Sequence, residues 1–469
     1  MAHRALSIPD IVYLVFDQVG EDKPTLARSA RCCKAFHKPS LDRLWRDLPS
    51  VFPLWNLLPP MKDRMIEPGH DEIWERFDLY AHRVRTWVHA HDAQFPLYLQ
   101  HLEGRPGIMS FSSLLELQLN TRNELPAVFL LPLSLHRLHI NFSFWRRKDS
   151  QQDEQYLFAA VDQAHFLEQL TLCGPVPLKP FARLPELRHL RILELGDAEL
   201  PYGAMAILSS LPALTRLRLP KTSWTDAPRT GFRSLESLTL SGNASQIVQL
   251  LQSLTTTNLR AITIHNSVLD MSPSSLTDWQ QCFKTLEQKF ESSLRSFDME
   301  AVAREDGLSV MKLFEPLMGL HQLEEFRLSE LITLSPQVVS AMTSSWPHLR
   351  RFMLDIPPIL ADSSQNVNDC QPYAFHCLTL VARHCPKLTA LYIGIGDHDL
   401  PTVSEFPLLS HGLADLRLHT PYIHDNVHLA RLLDRIFPML VEVRVNHALR
   451  NHSQEWDGFG LIRDERWST

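Results

Sequence analysis

The sequence predicts an α/β chain: a short all-α segment at the N-terminus, followed by an αβ solenoid whose strands line up in a parallel, concave sheet. Two observations carry this. A frame of apolar positions, Leu-x-x-Leu-x-Leu with Ile, Phe, Met or Val as substitutes, returns about thirteen times from Leu114 onward. The first fifty or so residues instead hold three short segments with apolar residues at helical spacing. At 469 residues the chain is too long for one compact core, which favours an extended array. The hydrophobic share of 44% and charged share of 21% suit a soluble protein, and a net charge of −7 leaves no basic footprint for nucleic acid.

The first segment opens with Ser7 and Asp10 as an S-x-x-D start signal, and Pro9 is tolerated because a first helical turn has no partner for its missing N–H. Ile8, Ile11, Val12, Val15 and Phe16 then follow the i, i+3, i+4, i+7 spacing of one apolar face. Leu26, Ala30 and Cys33 repeat that spacing, and Ser40 is expected to cap a third helix bearing Leu41, Leu44, Trp45 and Leu48. Helices this short bury little among themselves, so part of their apolar surface is expected to serve a partner.

The ordered trio Ile8-Pro9-Asp10-Ile11-Val12-Tyr13-Leu14-Val15-Phe16, Ala30-Arg31-Cys32-Cys33-Lys34-Ala35-Phe36 and Leu41-Asp42-Arg43-Leu44-Trp45-Arg46-Asp47-Leu48 resembles the F-box in its fungal F-box-like form. The resemblance covers roughly residues 7 to 50. It implies binding to a Skp-type adaptor and, through it, to the cullin scaffold of a RING-type ubiquitin ligase. The residues it assigns to the adaptor-binding surface and core are Ile8, Pro9, Ile11, Val12, Val15, Phe16, Leu26, Ala30, Cys33, Leu44 and Trp45. Cys32-Cys33 departs from the Val-Cys or similar pair usual in the family, yet keeps a small residue of buried type at Cys33. Trp45 has two readings, a core residue of the small bundle or a partner contact.

The chain is thus expected to comprise an adaptor-binding domain over residues 1–50, a linker and N-terminal cap over 51–110, and the repeat domain over 111–469. Pro53, Pro59, Pro60 and Pro68 mark irregular chain, Ile73 to Val84 has helical periodicity, and Val84-Arg85-Thr86-Trp87 reads as a degenerate strand. A cap is needed because an exposed end repeat leaves apolar surface wet. The tail, with Trp456, Phe459, Leu461, Ile462 and Trp467, is the matching C-terminal cap, and polar Asp362–Gln371 reads as a loop.

The frames begin at or surround Leu114, Leu138, Leu170, Leu190, Leu214, Leu235, Leu259, Leu294, Leu323, Leu349, Leu388, Leu413 and Leu440. The last three positions of each alternate in and out as a short strand. Helical patterns lie between them at Met205–Leu208, Ile247–Leu251, Val310–Phe314, Val338–Met342 and Leu429–Leu433. One strand plus one helix cannot close a core, whereas stacked neighbours bury a continuous one, which is the leucine-rich-repeat horseshoe. His384-Cys385-Pro386-Lys387-Leu388 resembles the Cys-containing repeat of F-box leucine-rich proteins, while most other units lack the Asn or Cys expected after the strand.

Target recognition is expected on the concave sheet, at side chains flanking the inward leucines: Arg137, His139, Arg216, Arg218, Glu325, Arg327, Arg351, Arg417, His419 and Arg444, with Asp298, Glu300, Asp355, Asp415 and Glu442 among them. Mixed charge favours a protein target over nucleic acid, because a nucleic-acid groove is uniformly basic. Arg417 and Arg444 are the sharpest pair, as neighbouring guanidinium groups can clamp a carboxylate or phosphate.

Catalysis has no visible seat: G-x-S-x-G, G-x-x-x-x-G-K-[ST] and G-x-G-x-x-G are all missing from the sequence. His89, His91 and Asp92, and Asp397-His398-Asp399, are the densest His/acid clusters, and neither has the spacing that puts metal ligands on one face. No catalytic residue, metal or cofactor is therefore assigned. Seven cysteines without a C-x-x-C pair, and no signal peptide, suggest reduced thiols in the cytoplasm or nucleus. The sequons at Asn141, Asn243 and Asn451 read as chance matches, Arg146-Arg147-Lys148 as a solvated loop, and no apolar run approaches the ~20 residues that span a bilayer. Two functions follow: a substrate-recruiting subunit of a ubiquitin ligase, or a leucine-rich-repeat interaction scaffold without a ligase role.

Overall fold

The computed structural model describes residues 6, 8–20, 22–50, 52–57, 71–89, 111–120, 132–142, 157–158, 161–174, 178–196, 200, 202–220, 228, 230–269, 273–303, 307–329, 336–355, 375–394, 402–403, 406–420, 426–447 and 454–455. The chain divides into two compact units, residues 1–220 and 221–469. In each, successive strands pair in parallel, so that the repeated apolar frames stack as an α/β solenoid.

The first unit opens with three helices, α1 (Pro9–Val19), α2 (Lys23–Ser29) and α3 (Lys34–Leu44), and a two-residue strand β1 (Asp47–Leu48). Helices α4 (Phe52–Trp55) and α5 (Asp71–Ala81) precede β2 (Thr86–His89), β3 (Glu116–Asn120), β4 (Arg137–Asn141), β5 (Gln169–Cys173), β6 (Ile192–Leu195) and β7 (Arg216–Arg218). Consecutive strands from β1 to β7 pair in parallel. The sheet therefore starts inside the first fifty residues, and the strand expected near Val84–Trp87 is its second member. Asp22 caps α2 by accepting from the Thr25 amide at 3.2 Å. Ser40 caps nothing: α3 begins at Lys34 and runs through Pro39, leaving Ser40 buried in its interior. Ser7, expected to start α1, lies outside the described residues.

An aromatic cluster surrounds α5. Trp55 stacks on Phe77 at 5.3 Å, Phe77 meets the edge of Phe111 at 6.3 Å, and Phe111 stacks on Trp87 of β2 at 5.2 Å. The N-terminal helices are tied to the same end. Tyr13 donates to Asp42 at 2.7 Å, Asp42 pairs with Arg83 after α5, and the Arg46 carbonyl accepts from the amides of Arg85 and Thr86.

In the second unit β8 (Ser237–Ser241), β9 (Ala261–Leu269), β10 (Ser296–Ala303), β11 (Glu325–Ser329), β12 (Arg351–Asp355), β13 (Ala390–Gly394), β14 (Asp415–Thr420) and β15 (Glu442–His447) pair successively in parallel. A short antiparallel β16 (Gln454–Glu455) follows on β15. The expected helical patterns fall in the helices Ala204–Ser209, Ala244–Ser253, Gly307–Phe314, Pro336–Ser345 and Asn426–Ile436. An 18-residue helix, Pro273–Phe290, was not anticipated from the frames, although Trp279, Cys282, Phe283, Leu286 and Phe290 have helical spacing and all are buried. Phe283 packs on Phe297 of β10 at 5.9 Å, and Phe326 stacks on Phe297 and on Trp346 at 5.6 and 4.7 Å.

One hydrogen-bond device sets the register in both units. The carbonyl just before a strand accepts two amides from the entry to the next, as Glu168 does from Arg191 and Ile192, and Glu324 does from Arg350 and Arg351. Repeats are also stitched along their helical side. Lys289 Nζ donates to the carbonyls of Leu251, Gln252 and Leu254 at 2.8–3.1 Å, and Trp346 Nε1 donates to Leu317 O at 3.1 Å. These bonds satisfy carbonyls that a helix or turn end leaves without partners. The expected loop at 362–371 and the tail aromatics Trp456, Phe459 and Trp467 lie outside the described residues.

Candidate interaction surfaces

Helix α1 carries more apolar residues than its neighbours cover. Val12 and Phe16, 2% and 4% exposed, form a core with Leu26, flanked by Val19, Phe36 and Leu44. The Phe16 ring meets the edge of Phe36 at 5.5 Å. Ile8 and Val15, at the edge of the same stripe, are 46% and 45% exposed, and Leu14, on the opposite side of the helix, is 63% exposed; Pro9 is exposed as well. Leu14, absent from the set assigned on the sequence, is the most exposed of these; its i+3 and i+4 neighbours, Asp17 and Gln18, are polar, so it falls outside the apolar stripe. Ile11 and Leu44 are half-buried, and Ala30 is buried at the end of α2.

Cys33 does not follow expectation. The helix is interrupted between α2 and α3, and Cys33 takes extended backbone angles as the residue before α3, which leaves it exposed instead of buried. Trp45 is half-buried with its ring 4.7 Å from Tyr80 of α5, so it packs within the fold.

The sheet of each unit has one face covered by helices and one open. Strand leucines such as Leu138, Leu217 and Leu416 point into the covered side, and the residues between them line the open side. In the first unit Arg137 pairs with Glu116 of the neighbouring strand at 3.3 Å, and His139 stands in the same row as Thr171, Glu194 and Arg218. Burial holds His139 below the usual histidine value, with Glu194 opposing. Arg216 and Arg218 are exposed on β7.

In the second unit Glu325 and Arg351 pair at 3.2 Å across β11 and β12. Asp298 stands in register with Arg327, and His265 Nδ1 meets Glu300 at 2.9 Å across β9 and β10. Burial pushes the Asp298 carboxyl above its ordinary value, with Glu300 adding to the rise, while Arg327 and His265 pull the other way. Arg417 and Arg444 are neighbours in register, as a clamp requires. Each guanidinium is also engaged within its own strand, Arg417 with Asp415 at 3.6 Å and Arg444 with Glu442. The pair is thus part of a charge-compensated row, and only an anion that outcompetes these carboxylates can use it. His419 belongs to β14 in register with Asn446, and nothing is described of its side chain.

Among the described residues no group of three or more His, Cys, Asp and Glu is placed to hold a metal, and no helix is long and apolar enough to cross a membrane. The clusters at His91–Asp92 and Asp397–Asp399 lie outside those residues. Of the described cysteines, Cys282, Cys377 and Cys385 are buried thiols, and burial pushes Cys377 up to about 11 and Cys385 up to about 12. Asn243 spends its side chain on a capping box with Gln246, accepting from the Gln246 amide at 2.9 Å.

No family model matches this chain, and no curated protein matches it. Among solved structures it is similar to one described as the TLR13–ssRNA13 complex, at 13% identity and a TM-score of 0.36, over 72% of this chain. The chain spans about half the length of that structure, 48% of which is covered.

Proposed function

We propose that this protein is the substrate-recruiting subunit of a Skp–cullin–F-box type ubiquitin ligase. In this reading α1 and its neighbours hold a Skp-type adaptor, the open sheet faces hold a protein target, and the chain works in the cytoplasm or nucleus without catalysis or cofactor of its own. The observation that carries it is that Ile8, Leu14 and Val15 stay exposed on a helix whose Val12 and Phe16 are buried, Ile8 and Val15 along the edge of the buried stripe and Leu14 on the far side. All three lie within the segment that resembles an F-box, and apolar side chains left in water on an ordered helix mark a partner site. The bonds from Tyr13 to Asp42 and from Arg46 to β2 support the second half of the reading, since an adaptor held on these helices is held firmly relative to the first strands.

The test is the affinity of the full chain for a Skp-type adaptor. Central apolar anchors commonly contribute about 2 kcal/mol or more, so Leu14→Asp with Val15→Asp is expected to weaken binding at least about 30-fold while leaving the melting temperature unchanged. Wild-type protein that shows no binding at micromolar adaptor sinks the ligase reading and leaves an interaction scaffold without a ligase role.

A further inference from the structure

Within the first unit, α2, α3 and the start of the sheet line a half-open cavity of about 220 Å³. Its walls are mostly apolar, with Leu26 from α2, Leu44 from α3, Leu48 and Pro49 from β1 and its exit, and Val88 from β2, while Asp47 and Thr86 add polar groups. Thr86 and Val88 belong to the open side of the sheet, because Trp87 between them is buried. Val88 is also in register with Gln118 and, through it, with His139. The cavity is therefore the N-terminal end of the same open face that carries the polar row of the first unit.

Two cations border it, and they are not equivalent. Arg43 is compensated by Asp47 at 3.2 Å, with Asp17 at 4.0 Å. Lys23 is exposed and has no ion-pair partner among the described residues. The size decides what kind of occupant fits. Pockets that enclose drug-sized molecules or cofactors run about 300–1,000 Å³, so this one suits a single large side chain. Mostly apolar walls with one uncompensated ammonium at the border complement an apolar residue followed by an acidic one.

We propose that this cavity is a specificity pocket for the target, taking one large apolar side chain of an extended peptide whose adjacent carboxylate meets Lys23. The proposal rests on the reading that targets bind the open sheet face, and it places the pocket beside the helices assigned to the adaptor. Leu26 and Leu44, which the sequence assigns to adaptor binding, then serve as pocket wall as well as helix core.

The test titrates three capped dipeptides into the full chain without adaptor, by isothermal calorimetry and ligand-observed NMR: acetyl-Phe-Asp-amide, acetyl-Phe-Lys-amide and acetyl-Gly-Asp-amide. Saturable binding is expected for Phe-Asp, at least about fivefold tighter than for Phe-Lys, with none for Gly-Asp. Val88→Trp adds bulk to the wall and is expected to abolish Phe-Asp binding. Lys23→Glu, on an exposed residue that leaves the fold alone, is expected to reverse the preference between Phe-Asp and Phe-Lys. No saturable binding of Phe-Asp by wild type up to about 10 mM, or binding indifferent to both substitutions, overturns the pocket. If the pocket fails while wild type still captures the adaptor, the recruiting function stands; if the dipeptides bind as expected and the adaptor does not, the pocket stands and the ligase assignment falls.

Discussion

Asp298 keeps a carboxylate in a partly buried place on the open face, where burial holds its proton affinity above the ordinary value of 3.8. Because the folded chain binds that proton more tightly than the unfolded chain, the ionised group destabilises the fold at neutral pH, and the cost vanishes as pH falls through the raised value and below 3.8. Asp298→Asn is expected to raise the melting temperature at pH 7 and to leave it unchanged near pH 3. An equal gain at both pH values would mean that the effect does not come from ionisation. A charge retained against stability on an exposed face fits a binding role. Other residues serve the fold alone. Losing the Trp346 Nε1 bond to Leu317 in Trp346→Phe is expected to cost about 1–2 kcal/mol, and Lys289→Met, which deprives three carbonyls of their donor, about as much. Leu217→Ala, in a fully buried strand position, is expected to cost roughly 2–5 kcal/mol in chemical denaturation, through lost burial plus cavity.

Among the elements, the strands were the most legible. Their frames repeat at a period of about 21–29 residues, with longer steps, and every frame from Leu114 to Leu440 leads into a strand, β3 to β15. The helices were less so, since a helix needs only one apolar stripe and can hide in a long insertion, as Pro273–Phe290 does between β9 and β10. Its length is what lets Lys289 reach back to the end of the helix Ala244–Ser253. That earlier helix begins in a capping box, and Asn243→Ala is expected to lower stability by about 1 kcal/mol, read from the midpoint of urea unfolding. β1 raises a sharper question about the first fifty residues. Leu48 is buried and β1 pairs with β2, so a chain beginning at Val51 loses the first strand of the sheet and leaves β2 as an open edge. Such a truncation is expected to melt lower than the full chain and to aggregate more readily; identical melting and solubility would show that the first fifty residues are an independent attachment.

For the whole molecule, the expected division of labour is adaptor on the N-terminal helices and target on the open faces. The charges of those faces are largely paired with one another, as in Glu116 with Arg137 and Glu325 with Arg351, and exposed pairs of this kind contribute little to stability. They are free to exchange partners when a target arrives. Reversing Arg417 and Arg444 together is expected to abolish target capture and leave adaptor binding intact, with the melt shifted by no more than about 1 kcal/mol. Unchanged capture would move recognition away from β14 and β15.

The repeat architecture followed from sequence alone because a strand's inward leucines recur whatever its neighbours do, and stacking like units is the way such a pattern buries itself. The apolar character of the N-terminal helices was equally plain. Which of their residues stay in water was not, because a helical stripe names a face and leaves open what covers it. Only the packed structure separated Val12 and Phe16 from Leu14 and Val15, turned Cys33 outward between two helices, laid Trp45 on Tyr80, and paired Arg417 and Arg444 with their own strands' carboxylates. The cavity between Leu26 and Val88 likewise required the tertiary fold, since its walls come from residues more than sixty positions apart, brought together where β1 meets β2.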